Sequence, residues 1–237
     1  MQYNLNRQQN RLSLFECGLK FLKQDSELKQ EMMVAGVVTG SRNPAHWDME
    51  SESVDFFDIK GHVESLLDLT GLAAEFHFQS EPHPVLHPGQ SAAITRQDRI
   101  VGWLGALHPS VEQALGLSQR AYVFEIEAAA LTEARVPAFK PVSRYPSIRR
   151  DIALVVDKAV SAAEVLECIR LSGSDYLTNI ELFDFYVGEG IDSGRKSLAL
   201  GLTLQDLSRT LKDNEVEQEL EHILSNLNKK LGATLRE

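Results

Sequence analysis

The chain reads as an α+β protein in two parts, each built on an antiparallel sheet with helices to one side. Three observations point there. In the first part strand-like and helix-like patterns alternate irregularly, without the steady strand–helix rhythm of a doubly wound fold. In the last part the order of patterns is β-α-β-β-α-β, the split arrangement that leaves one face of a small sheet without helices. Within that part, residues 179–205, NIELFDFYVGEGIDSGRKSLALGLTLQ, make two strand-like runs around a glycine-rich turn, and the second run has two unlike faces.

The elements follow in order. RLSLFECGLKFL alternates as a strand, with Leu12, Leu14, Cys17 and Leu19 marking a switch of register around Glu16. MMVAGVVTG, 32–40, is nearly continuous and apolar, as suits the middle of a sheet. SRNPAHWD is a turn-rich loop. A helix is predicted over about 53–70, with Ser53 as N-cap and Gly71 as terminator; Phe56, Ile59, Val63, Leu66, Leu67 and Leu69 roughly keep helical spacing. AEFHFQ is a short strand and EPHPVLHPGQS a loop. SAAITR and RIVGWLGALH are strands joined at QD, PSVEQALG is a helix, and AYVFEIEAAAL is a strand. Gly102 and Gly105 mark close strand packing or a bulge.

TEARVPAFKPVSRYP, 132–146, carries three prolines and little periodicity, so the expected boundaries are 1–131, a linker at 132–143, and 144–237. In the second part RRDIALVVD is a strand bounded by charge. SAAEVLECIRLSG opens with a capping box, Ser161 to Glu164, and ends at Gly173. After the hairpin, Thr210 and Asp213 form a second box, and Val216, Leu220, Ile223, Leu224, Leu227 and Leu231 make one helical stripe. GATLRE closes as a short strand. The result is a ferredoxin-like sandwich.

In the hairpin's second strand Lys196, Leu198, Leu200, Leu202 and Leu204 share one face, and Ser197, Ala199, Gly201, Thr203 and Gln205 the other. In the first strand Asp184 belongs outside a core. Strict alternation then puts Leu182, Asp184 and Tyr186 on the open face, and leaves Glu181, Phe183, Phe185 and Val187 mostly buried. A symmetric hairpin sets Tyr186 opposite Ser197 and Asp184 opposite Ala199. That surface is either a solvated sheet face with one amphipathic Tyr, or a platform that accepts something flat.

Composition narrows the function classes. The hydrophobic fraction of 43% and charged fraction of 24% are ordinary for a globular chain. No apolar run approaches the roughly 20 residues of a membrane span, and MQYNLNRQQNRL lacks a signal-peptide core, which makes a cytoplasmic location the expectation. Net charge is −10, with 12 basic and 18 acidic residues before Ser143 and 12 and 16 from there on, so neither half is a general polyanion binder. Nucleic-acid binding would have to be local or assisted by another subunit. His83 and His87 sit among prolines without acidic or cysteine partners at ligand spacing, so no metal site is expected. Cys17 and Cys168 lie far apart, and Cys168 sits beside an apolar stripe. No dinucleotide or Walker-type glycine loop is present, and no catalytic constellation emerges. Arg149, Arg150, Lys196 and Arg209 are the cations closest to the ends of the proposed sheet. Beside Tyr186 they supply the minimal kit for an unpaired base and its phosphates.

At this point the motifs carry a specific likeness. SRYPSIRRDIALVV, NIELFDFYVGEG, GRKSLAL, LQDLSRTL and GATLRE together resemble the C-terminal ferredoxin-fold anticodon-binding domain of bacterial phenylalanyl-tRNA synthetase beta subunits. NRQQNRLSLFECGLKF, VAGVVTGSRNPAHWD, VDFFDIKGHVESLLDLTG, HPGQSAAI and YVFEIE resemble the class II synthetase-like, non-catalytic module that precedes it. The likeness runs from about residue 2 to residue 237, in order. It implies the C-terminal third or so of a beta subunit, without the editing domain. It also implies an alpha2–beta2 heterotetramer that joins phenylalanine to its tRNA with ATP and magnesium at the alpha subunit's active site. The module at 1–131 would dock on alpha, and no cofactor is expected in this chain. In the family a tyrosine stacks on the first anticodon base with polar groups alongside; by motif these are Tyr186, Asp184 and Ser197. Arg149, Arg150, Lys196 and Arg209 would hold phosphate. The alternative is that the ferredoxin-like half is a regulatory or protein-interaction module, since that fold hosts many functions.

Overall fold

A computed structural model describes residues 1–237 apart from 25–26, 140, 173 and 237. The chain divides into two compact units, Met1–Ala138 and Phe139–Glu237.

The first unit opens with one helical turn, α1 (Gln2–Leu5), followed by β1 (Leu12–Gln24), β2 (Glu27–Thr39) and α2 (Phe56–Asp68). β3 (Phe76–Ser80), β4 (Leu86–Arg96), β5 (Arg99–Leu107), α3 (Pro109–Ala114), β6 (Ala121–Glu127) and α4 (Ala128–Thr132) complete it. Its six strands run in the order β1-β2-β6-β5-β4-β3, every neighbour antiparallel. α2 covers one face, where Ile59, Val63 and Leu67 pack with Ile94, Leu104 and Ile126. Each such side chain contributes on the order of 1.5–3 kcal/mol on burial.

Several local expectations are corrected here. β1 pairs with β2 without a break from Leu12↔Thr39 to Gln24↔Glu27, so no register switch occurs at Glu16. The alternation misled because consecutive Leu14 and Phe15 are both exposed, and the apolar pattern there marks no single buried face. β2 starts at Glu27, extended outward by pairing with β1. The N-cap of α2 is Asp55 rather than Ser53: its carboxylate accepts from the N–H groups of Phe57 (2.7 Å) and Asp58 (3.1 Å), and Asp58 accepts from Asp55 N–H at 2.7 Å. β4 begins at Leu86, so part of the expected loop EPHPVLHPGQS is strand. Gly102 is a close-packing position, where a Cβ would lie 2.5 Å from the Glu125 carbonyl oxygen.

The second unit comprises β7 (Ile148–Asp157), α5 (Ala162–Arg170), β8 (Leu177–Tyr186), β9 (Arg195–Leu204), α6 (Asp213–Leu231) and β10 (Thr234–Leu235). The sheet order is β10-β7-β9-β8, the ferredoxin-like arrangement expected. Ile152, Leu154 and Val156 of β7 and Leu198, Leu200 and Leu202 of β9 face the two helices. From the helices Val165, Cys168, Ile169, Ile223 and Leu227 close the core. Ser161 and Glu164 form the expected capping box, with bonds of 3.1 and 2.7 Å. The Gly173 terminator lies outside the described residues.

The second box is displaced. α6 starts at Asp213 with Lys212 as N-cap, and the Glu215 carboxylate accepts Lys212 N–H at 2.9 Å. Thr210 and Asp213 lose out because Glu215 also holds the Arg209 guanidinium at 2.7 and 2.8 Å, fixing the box two residues later. Those bonds, with Arg209 first, hold the Glu215 carboxyl down to about 2 from its ordinary 4.5. A carboxyl depressed in the folded chain contributes stability that is present above its ordinary value and is lost as pH falls through the folded one. The melting temperature of the wild type should therefore exceed that of Glu215→Gln at neutral pH, and the gap should close between about pH 4.5 and 2. A gap independent of pH would mean that the carboxylate does not anchor this turn.

Candidate nucleic-acid interface

Because α5 and α6 lie on one side of the sheet, its other side carries the odd residues of β7 and β9. Ala153, Ala199, Gly201 and Ser197 form a low floor there. β8 supplies the wall. Tyr186 pairs with Ser197 and Asp184 with Ala199, as the symmetric hairpin requires. Between Leu182, opposite Leu200, and Asp184, opposite Ala199, the register shifts by one residue. That bulge inserts Phe183.

The bulge reverses part of the face assignment. Before it, Glu181 opposes Gly201 and so stands on the open face, while Leu182 opposes the buried Leu200 and turns to the helix side. The expectation for both residues is corrected. Phe183, Phe185 and Val187, expected to be mostly buried, are 49%, 58% and 45% exposed. Two causes combine. β8 is an edge strand, and among its described residues only Leu177 and Ile180 reach the helix-packed core. Its far half extends past that layer.

The charges on the open face are held in place. Arg149 lies flat over Gly201, where a Cβ would come within 2.6 Å of its Nη2. Its Nε donates to Asp151 at 2.9 Å and its Nη1 to Glu181 at 2.8 Å, and its guanidinium carbon is 5.6 Å from the Phe183 ring centre. Asp151 first, then Glu181, raises the guanidinium's pKa, so its charge is fixed. Asp184 accepts Phe185 N–H at 2.9 Å. Tyr186 donates its hydroxyl proton to the Glu189 carbonyl at 3.1 Å, while Arg236 sets its guanidinium 5.0 Å from the ring centre. Arg236 is positioned by β10, through its N–H to the Ala153 carbonyl at 2.8 Å. Ser197 is only 3% exposed beneath this cover.

Tyr186, Asp184, Ser197 and Arg149 thus share the open face, whereas the other expected cations do not. Arg150 is on the helix side, bonded to Asp213 at 3.3 Å. Lys196 reaches the Lys158 carbonyl at 3.1 Å, and Arg209 belongs to the Glu215 pair. Even-numbered positions in β7 and β9 face the helices, which is why Arg150 and Lys196 turn away. Two participants escaped sequence reasoning. Phe183 was placed in the core, although a charged Glu181 in the same phase already signalled broken alternation. Arg236 gave no local signal, because its place depends on β10 crossing to β7.

In the first unit a cavity of about 460 Å³ opens beside β1, lined by Phe15, Glu16, His83, Trp103, Phe124 and Glu125. The His83 ring is 4.7 Å from that of Trp103, and burial pushes its pKa down. Phe15 is 82% exposed at the rim.

The bulge has a direct stability consequence. Phe183→Ser should leave unfolding free energy within about 0.5 kcal/mol of wild type. Leu200→Ala, in the helix-covered core, should cost roughly 2–5 kcal/mol. Urea titrations of the two variants check this, and equal losses would put Phe183 in the core.

Residues 1–128 match the family model described as phenylalanyl tRNA synthetase beta chain CLM domain. Residues 143–236 match that of the ferredoxin-fold anticodon binding domain. The phenylalanine–tRNA ligase beta subunit of Pseudomonas putida is 48% identical over 236 residues, covering 100% of this chain and 30% of that protein. Its counterpart in Pseudomonas savastanoi pv. phaseolicola is 50% identical over 236 residues, with the same coverage. That of Shewanella oneidensis is 47% identical over 238 residues, covering 99% and 30%. The chain therefore spans 30% of the length of these curated relatives.

Proposed function

The chain belongs to the phenylalanyl-tRNA synthetase beta-chain family, and on that premise we propose that its second unit binds the anticodon of a phenylalanine-specific tRNA while its first unit docks on the synthetase alpha subunit. The observation that carries the anticodon reading is Tyr186. It stands on the uncovered face of a ferredoxin-like sheet, above a floor of small residues, with polar groups paired beside it. Tyr186 stacks on an unpaired base, and Asp184 and Ser197 address that base's edge. Stacking on one base is worth about 1–3 kcal/mol, and edge contacts supply discrimination. Ser197 is reached only when the side chains above it part. Arg236 sets its guanidinium beside the Tyr186 ring, and Arg149 lies further along the same face, over Gly201. Arg150, Lys196 and Arg209 serve phosphates only where the RNA backbone passes round the rim.

Docking is supported by β1 and β2, which carry Phe15, Phe21 and Leu28 at 82%, 57% and 60% exposure. β6 pairs with β2 only from Met33 onward, so the outer half of this hairpin is a two-stranded ribbon. Such a ribbon is marginal without a covering partner. In the proposed alpha2–beta2 ligase, ATP and magnesium act at the alpha subunit. Among the described residues no helix is long and apolar enough to cross a membrane. The proposed place of work, with the translation machinery, is the cytoplasm.

With 12 basic and 16 acidic residues from Ser143 on, this unit adds little general attraction for RNA. Tethering to the rest of a synthetase supplies the effective concentration it lacks. At low salt the chain should bind a phenylalanine anticodon stem-loop, and Tyr186→Ala should weaken it by roughly 5- to 150-fold. Equal binding by both proteins, or no preference over a swapped anticodon, contradicts the anticodon reading. Mixed with alpha subunit the wild type should co-elute, and Phe15→Asp/Phe21→Asp should not. A complex that tolerates both charges places the docking surface elsewhere.

A further inference from the structure

We infer that the open face holds two successive unpaired nucleotides, the second of them on Phe183 and Arg149. This inference rests on the anticodon reading of Tyr186 and extends it to a site beside it. The motivating feature is a repeated unit. Tyr186 has a guanidinium 5.0 Å from its ring centre, and Phe183 has one at 5.6 Å. Each pair joins a half-exposed aromatic ring to a planar cation, the combination that stacks on bases irrespective of their identity.

The spacing suits neighbouring nucleotides. Asp184, consecutive with the bulge residue, opposes Ala199, and Tyr186 opposes Ser197, two residues along β9. At about 3.3 Å per residue the two stacking positions are roughly 7 Å apart. That matches the reach between adjacent nucleotides of a splayed single strand and exceeds the spacing of a continuous stack.

The Phe183 unit is also built for a base and not for a phosphate. Its arginine is held by Asp151 and Glu181 at 2.9 and 2.8 Å, so its charge is balanced before any RNA arrives. Asp184 adds a third carboxylate. Phosphate is repelled from such a floor, while the exocyclic amino groups of adenine and cytosine are donors that carboxylates accept. Phe183 has no polar handle and buries nothing in the helix-packed core, and the bulge that turns it outward breaks the sheet ladder. A second base gives that arrangement a use.

The test measures binding of the full 237-residue chain to a fluorescein-labelled phenylalanine anticodon stem-loop at low salt. A second stem-loop is abasic at the nucleotide next to the first anticodon base. Proteins compared are wild type, Tyr186→Ala, Phe183→Ala and Phe183→Trp. Phe183→Ala should weaken binding roughly 5- to 150-fold, Phe183→Trp should restore it, and the loss should vanish on the abasic loop. Unchanged melting temperatures separate these effects from misfolding. Normal binding by Phe183→Ala, with loss in Tyr186→Ala, overturns the two-nucleotide inference and leaves the anticodon reading standing. A loss in Phe183→Ala that persists on the abasic loop also overturns it. Normal binding by Tyr186→Ala, or none by the wild type, overturns the anticodon reading itself and this inference with it.

Discussion

One extra residue in β8 decides what the open sheet face presents. Without the bulge at Phe183, strict alternation would send Glu181 towards the helices, a carboxylate in an apolar layer at a cost of several kcal/mol unless paired. With it, Glu181 crosses to the open face, meets Arg149, and fixes that guanidinium above Gly201. The same insertion puts Phe183 and Asp184 on the open face together. The local cost is a broken ladder at an edge strand, where disruption is tolerated best.

Everything else in the second unit serves to leave that face uncovered. Two helices on one side bury the even residues of β7 and β9 in a leucine-rich core, so the odd positions can stay small. A Gly or Ala floor lets flat groups approach the backbone. β10, two residues long, contributes Arg236 from the far edge, across the sheet from Tyr186. The surface is acidic and Arg149 is paired with Asp151 and Glu181, so under the proposed anticodon reading discrimination comes from shape and base edges, with little from bulk charge.

Much of this was legible in the sequence. The β-α-β-β-α-β order, the leucine stripe of β9, the Ser161–Glu164 box and the Tyr186–Ser197 pairing follow from period, capping chemistry and a symmetric turn. What escaped depends on nonlocal geometry. A bulge is one residue of slip that no propensity marks, and here Glu181 was its only trace. Asp55 displaced Ser53 as a cap because Asp58 could reciprocate, and Glu215 displaced Asp213 because Arg209 was within reach. Period two already set Lys196 on the leucine face, and Arg150 follows the same alternation in β7, so both stand on the helix side.

The central claim is that RNA meets the side of the ferredoxin-like sheet opposite its helices, at Tyr186. Backbone amide chemical shifts of the isotope-labelled chain, followed while an anticodon stem-loop is added, test it most directly. The account predicts shifts concentrated at Ala153, Asp184, Tyr186, Ser197, Ala199 and Gly201, with the outward faces of α5 and α6 unmoved. Shifts centred on those helices, with the open face silent, would contradict it.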